Sequence, residues 1–237
     1  MNIPILAYHK LGRATALDAF PNTCVSAENF SLQMRLLARL GWKAADPAAY
    51  AAYAAGTGPR PAGKVFLLTF DDGFASVLTE GLPVLKALGF RALVFMVAGA
   101  WGRTAFWDGD APENPQRLLT REEAGLLIKE GWLFGAHGAT HTALSGLPPE
   151  RLKEETAGAK AALESDLGVK IDTFAYPYGK WDPAAQAATA AAGYGSAYAT
   201  EQGGAGRHAL PRRIISGRNG TFKFFWRFRQ AGRLARL

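Results

Sequence analysis

Seven short apolar runs, separated by helical patterns, constrain this chain most. They are IPILAY (3–8), VFLLTF (65–70), ALVFMVA (92–98), WLFGA (132–136), DTFAY (172–176), GSAYAT (195–200) and ALPRRII (209–215). Helix signals fill the gaps. Ser26 caps a helix that ends near Gly41, and Asp46, Pro47 and Gly56 mark the N-cap, first position and C-cap of the next. A helix over 76–88 closes at Gly89, and Thr120 with Glu123 forms a capping box for a helix ending at Gly131. A helix from Pro148 runs to about Leu167 and stops at Gly168, and Pro183 opens another that Gly193 ends. This alternation predicts an α/β fold, one parallel-stranded domain over residues 1–237. Seven units closing on themselves make a barrel, and an open doubly wound sheet is the alternative. The sequence holds no internal repeat and no GxGxxG or Walker pattern.

With 237 residues, 49% hydrophobic and 20% charged, the chain can bury a sizeable core. Its single cysteine, Cys24, excludes an internal disulfide and a cysteine-rich zinc site. No apolar run approaches the roughly 20 residues of a membrane span. The opening MNIPILAYHK has no basic region and no long apolar stretch, so no signal peptide is expected. A cytoplasmic protein fits best, and export is expected only for a chain from which a leader was removed. The net charge of +7 is uneven: nine Lys or Arg and no acid lie between Arg207 and Leu237, leaving 18 basic against 20 acidic residues elsewhere.

The polar residues gather at strand ends. Asp71 and Asp72 follow VFLLTF, His9 ends the first run, HGATH (137–141) follows WLFGA, and YPYG (176–179) ends DTFAY. In a βα fold these ends share one face, and that face carries the chemistry. Adjacent carboxylates repel and resist desolvation, so Asp71 and Asp72 either turn the chain in water or have a positive charge between them. Taken singly, Asp-Asp-Gly and Pro-Tyr-Gly read as turns, and two histidines four apart read as solvated or core residues. Taken together on one face, they point to a His₂Asp set for Zn²⁺ or a similar divalent ion. One aspartate would bind the metal and the other would stay free as a base.

The combination of TFDDG, HxxxH and YPYG resembles the polysaccharide deacetylase family, the NodB-type carbohydrate esterases of family 4. The resemblance covers nearly the whole chain and implies a distorted (β/α)₇ barrel and a carbohydrate substrate. It implies Asp71 as catalytic base and Asp72, His137 and His141 as metal ligands, with Zn expected and Co, Ni or Mn as alternatives. Tyr178 would donate its backbone N–H to the oxyanion. A late catalytic-acid "LHD" motif is absent, but PILAYHK resembles a permuted subgroup that includes poly-N-acetylglucosamine deacetylases, which implies His9 as the acid. Many members carry Arg two residues before the motif proline, where this chain has Ala175; ALPRRII keeps the subgroup's late LPR pattern, so Arg212 would supply the positive charge near Asp71.

The expected activity is removal of an N-acetyl group from an N-acetylglucosamine-type glycan or glycoconjugate. The alternatives are a deformylase or deacetylase of a lipid-linked sugar at the cytoplasmic membrane face and a silent sugar-binding module. Trp107, Asp108 and Pro177 are expected at the substrate, with Trp107 as a stacking face or else packed under its own loop. The tail TFKFFWRFRQAGRLARL (221–237) has five basic residues, no acid, four Phe and one Trp. As a helix it puts Phe224, Phe228, Ala231 and Ala235 on one face. That face either closes the barrel or lies in a membrane interface. Charge confined to one end argues against nucleic acid.

Overall fold

The computed structural model describes residues 2–14, 20–108, 116–204 and 206–234. Its strands are β1 (Ile5–Tyr8), β2 (Lys10–Leu11), β3 (Cys24–Val25), β4 (Lys43–Ala44), β5 (Val65–Phe70), β6 (Leu93–Met96), β7 (Leu133–Ala136), β8 (Thr173–Ala175), β9 (Ser196–Tyr198) and β10 (Arg213–Ile214). The main sheet runs β10-β1-β5-β6-β7-β8-β9, and every pairing in it is parallel. These seven are the expected strands, and they curl into the expected distorted barrel. The short β4 pairs with the start of β5, while β2 and β3 pair with each other; the apolar runs gave no sign of these three.

Residues 210–215 bridge the two edges. Leu210 exchanges backbone hydrogen bonds with Ala197 and Ala199 of the β9 region, and Ile215 N donates to Ala7 O of β1. The predicted strand over 209–215 is therefore regular only at Arg213–Ile214. Pro211 has no N–H to continue a ladder, so the segment passes from one edge to the other there.

Helices α1 (Ala27–Arg39), α2 (Pro47–Ala55) and α4 (Arg121–Lys129) start as predicted, on Ser26, Asp46 and the Thr120/Glu123 capping box, and α7 (Pro183–Ala191) starts at the predicted Pro183, with Asp182 as its N-cap. The helix predicted over 76–88 instead begins as a π turn, Val77–Gly81, before α3 (Leu82–Ala87). Pro83 lacks the donor for its i−4 carbonyl, and the Leu82 N–H reaches back to Val77 O. The helix predicted from Pro148 is likewise interrupted: α5 (Pro149–Lys153) and α6 (Ala159–Leu167) flank a π turn at Glu154–Gly158.

Strand alternation splits the core. Ile5, Leu67, Leu93, Phe95, Ala175 and Tyr198 fill the barrel interior, and α2 adds Tyr50 and Ala54 to them, plugging the amino end. The outward residues of the same strands meet the helices in the larger cluster. The last helix, α8 (Thr221–Leu234), buries Phe224, Phe228 and Ala231. Phe228 meets Trp42 edge-on at 4.8 Å and Phe66 at 5.8 Å between ring centres. The face that the sequence left between membrane and core is thus core; Ala235 lies outside the described residues.

Replacing a buried aromatic by Ala costs about 3–5 kcal/mol, whereas surface changes stay within about 0.5 kcal/mol. Phe228→Ala should therefore destabilise strongly and Trp226→Ala little. Denaturant unfolding checks this; equal losses would remove α8 from the core.

Candidate metal centre and active site

Parallel register brings the polar strand ends together. Tyr8 pairs with Phe70, so His9 and Asp71 leave the sheet side by side. Ala136 pairs with both Met96 and Phe174, which sets His137 between β6 and β8. A pocket of about 110 Å³ opens at this end, walled by His9, Asp71, Asp72, Trp107, His137 and His141, with Tyr178 and Thr200 at its side.

Asp72, His137 and His141 are all buried and their ligand atoms lie within 4.8 Å of one another. Asp72 Oδ1 is 3.3 Å from His137 Nε2 and 3.2 Å from His141 Nε2. It accepts no hydrogen bond. His137 Nδ1 lies 2.7 Å from Ala175 O; donating there leaves Nε2 as the free lone pair. A buried, unsatisfied carboxylate oxygen facing two imidazole nitrogens is a donor set that fits a divalent ion. Burial pushes the Asp72 carboxyl up, but the two imidazoles outweigh it and hold the group well below the usual range. Burial pulls both imidazoles down; it prevails at His141, whereas the aspartates outweigh it at His137 and raise that ring.

Asp71 faces a different partner. Arg212 grips it through two bonds, Nη1 to Oδ1 at 2.6 Å and Nη2 to Oδ2 at 2.8 Å. Arg212 also donates to Thr69 Oγ1 and Ala199 O, and it lies over the Phe95 and Tyr198 rings. Burial would raise Asp71, but the charge of Arg212, with those of His137 and His9, overcomes it and leaves the carboxyl lowered. His9 Nε2 stands 3.8 Å from Asp71 Oδ2, and His9 Nδ1 is buried without a partner.

The remaining expected residues divide. Trp107 lies in the wall with its indole stacked on the His141 ring at 4.3 Å, so one face is already occupied. Tyr178 sits in a tight turn, Pro177–Gly179, its half-exposed ring edge-on to His141 at 4.6 Å. Pro177 is buried behind the pocket rather than in its wall, because its ring packs toward Gly138. The Asp108 side chain lies outside the described residues.

The polysaccharide deacetylase family pattern matches residues 58–197. The chain belongs to the polysaccharide deacetylase family. It is 27% identical over 224 residues to YxkH of Bacillus subtilis (strain 168), a protein named for the same family, covering 92% of this chain and 74% of YxkH. Its fold is similar to that of the Streptococcus pyogenes deacetylase PplD, solved with acetate: TM-score 0.79, 23% identity, 96% of this chain and 98% of that one. IcaB from Ammonifex degensii is similar too, with TM-score 0.76, 24% identity, and 98% and 97% covered. The matched span holds Asp71, Asp72, His137, His141 and Tyr178. His9 and Arg212 lie on either side of it, and barrel closure delivers them to the site.

One residue of this deacetylase's site escaped the sequence reading. Glu155 is fully buried in the π turn, yet its carboxylate accepts from Ala139 N at 2.8 Å, Thr140 N at 3.0 Å and Thr140 Oγ1 at 2.5 Å. It therefore holds the loop whose two ends are His137 and His141. Gly138 has φ +80, and a side chain there would come within 2.8 Å of Glu155 Oε2. The signal available in the sequence was an acidic residue in a helix shortly after HxxxH, which is too common to single out. Outer partners of ligand loops typically carry 10–100-fold in metal affinity. Glu155→Ala should weaken Zn²⁺ binding by about that factor, read by competition with a chromogenic chelator, and Glu155→Gln by less; unchanged affinity in both would leave Glu155 as packing only.

Proposed function

We propose that this carbohydrate deacetylase is a metal-dependent hydrolase that removes N-acetyl groups from an N-acetylglucosamine-type sugar in a glycan or glycoconjugate. The observation that carries this reading is the division of labour between neighbours: Asp72 faces two imidazoles, while Asp71, one residue earlier, is held ionised by Arg212. Asp72, His137 and His141 would hold the ion, with Zn²⁺ the best match to a His₂Asp set and Co²⁺, Ni²⁺ or Mn²⁺ as alternatives. Such an ion polarises a substrate carbonyl and acidifies nearby water.

Asp71 takes the proton of the attacking water. Arg212 makes it a weak base, which suffices for acidified water and keeps it unprotonated at neutral pH. The Tyr178 backbone N–H donates to the oxyanion. His9, across from Asp71, protonates the departing amine. Trp107 covers His141 and borders the sugar site. A silent sugar-binding module would need no buried base gripped by an arginine beside a metal set.

Assay of released acid from acetylated and formylated amino sugars, free, polymeric and lipid-linked, tests the substrate class. Acetate release should stop in chelator and return with Zn²⁺; metal-depleted protein that hydrolyses at the parent rate would overturn the metal role. Asp71→Asn should keep the metal and lose about 100- to 10,000-fold in kcat. His9→Ala should slow amides far more than activated esters, because only the amine leaving group needs its proton. Equal losses on both would remove His9 as the acid.

A further inference from the structure

The outward face of α8 has no counterpart in the catalytic chemistry. Phe222 and Trp226 are the two most exposed large apolar side chains among the described residues, at 86% and 58%. They stand at i and i+4, and Arg229 and Arg233 continue the stripe at i+7 and i+11, on the face opposite the buried Phe224, Phe228 and Ala231. Lys223 and Arg218 are exposed nearby. Among the described residues, Arg218, Lys223, Arg229 and Arg233 form no ion pair, whereas Arg227 on the flank is tied to Glu201 and Ile214 O. Glu201 also holds Arg213 of β10, so the helix is braced to the barrel. Beside the stripe a cleft of about 370 Å³ runs between α8 and the start of β1. Trp42, Phe225 and Phe228 line it, with Lys64, Arg229 and Arg233 around them and no acid.

We infer that this face docks peripherally on an anionic phospholipid bilayer through Phe222, Trp226, Arg229 and Arg233. Exposed aromatics beside unpaired cations match the boundary between acyl chains and anionic headgroups. The cleft joins an aromatic lining to basic edges, which suits one phospholipid, chain against ring and phosphate against guanidinium. A second copy is disfavoured as occupant, because an isologous pairing would set arginines against arginines. No helix among the described residues is long and apolar enough to cross a membrane, so the contact lies on the surface. The start of α8 is held by the loop before it: Gly217, four residues ahead of Thr221, donates its N–H to Asn22 O.

Co-sedimentation of the full chain with phosphatidylcholine vesicles and with vesicles containing phosphatidylglycerol tests this. Binding should require the anionic lipid and fall with added salt. Arg229→Gln with Arg233→Gln should lower partitioning roughly thirty-fold, as each basic residue near such a surface contributes about fivefold. Phe222→Ser with Trp226→Ser should lower it at least tenfold. Circular dichroism and acetate release from a soluble substrate should stay at the parent level in both variants. Equal binding to neutral vesicles, or undiminished binding by both folded variants, would overturn the proposal. So would vesicle binding that is absent while Phe222→Ser with Trp226→Ser abolishes a dimer or retention by single-stranded RNA.

Discussion

Asp71 lies buried at the floor of the pocket, where a lone carboxylate would be driven toward its neutral form. Arg212 prevents this with a planar fork that meets both oxygens, and its other donors reach Thr69 and Ala199. The geometry matters because a buried pair recovers its desolvation cost only when nearly every donor is satisfied. Arg212 belongs to the segment that closes the barrel, next to Pro211, where the chain leaves β9 for β1. The contact that keeps Asp71 ionised is therefore also a contact that ties this closing segment to the end of β5 through the barrel interior. Removing either partner leaves an uncompensated buried charge, a loss of about 3–5 kcal/mol in comparable pairs.

Backbone strain marks the same place. Among the described residues the non-glycine positions with left-handed φ are Asp72 at 71°, His141 at 60° and Tyr178 at 57°. Each such residue costs on the order of 1 kcal/mol or more and persists only where its surroundings over-determine it. Here the surroundings are visible. Gly73 follows Asp72 with φ +80, and a side chain there would strike Met96 Sδ. Glu155 pins the loop that ends at His141, and the Pro177–Gly179 turn carries Tyr178. Two candidate metal ligands and the candidate oxyanion residue thus share one backbone device, which aims short connections back over the strand ends.

Electrostatic separation of two adjacent aspartates follows from strand geometry. Asp71 still obeys the β5 alternation, with Thr69 and Leu67 on the inner side, so its side chain meets Arg212 inside the barrel. Asp72 has left the strand, and its left-handed conformation turns the carboxylate to the histidines. Neighbours in sequence acquire different partners because the chain changes conformation between them.

Much of this was legible in the sequence. Seven apolar runs with helix caps between them specify the strands and most helix starts, since burial on both faces and capping are local demands. TFDDG, HxxxH and YPYG point to the metal set because strand ends of a βα fold share a face. The sequence was ambiguous for α8: its aromatics are spread round the helix, and only the packing of Phe228 on Trp42 and Phe66 separates the core face from the face of Phe222 and Trp226. It was silent on Glu155, whose carboxylate meets the backbone of Ala139 and Thr140 only once the helix has folded back onto their loop. The pairing of Arg212 with Asp71, 141 positions apart, was reached by resemblance; its bidentate form is decided by barrel closure. Composition and periodicity determine elements, because they report which residues must leave water. Register, curl and strain determine the site, because they set distances between residues that no local pattern connects.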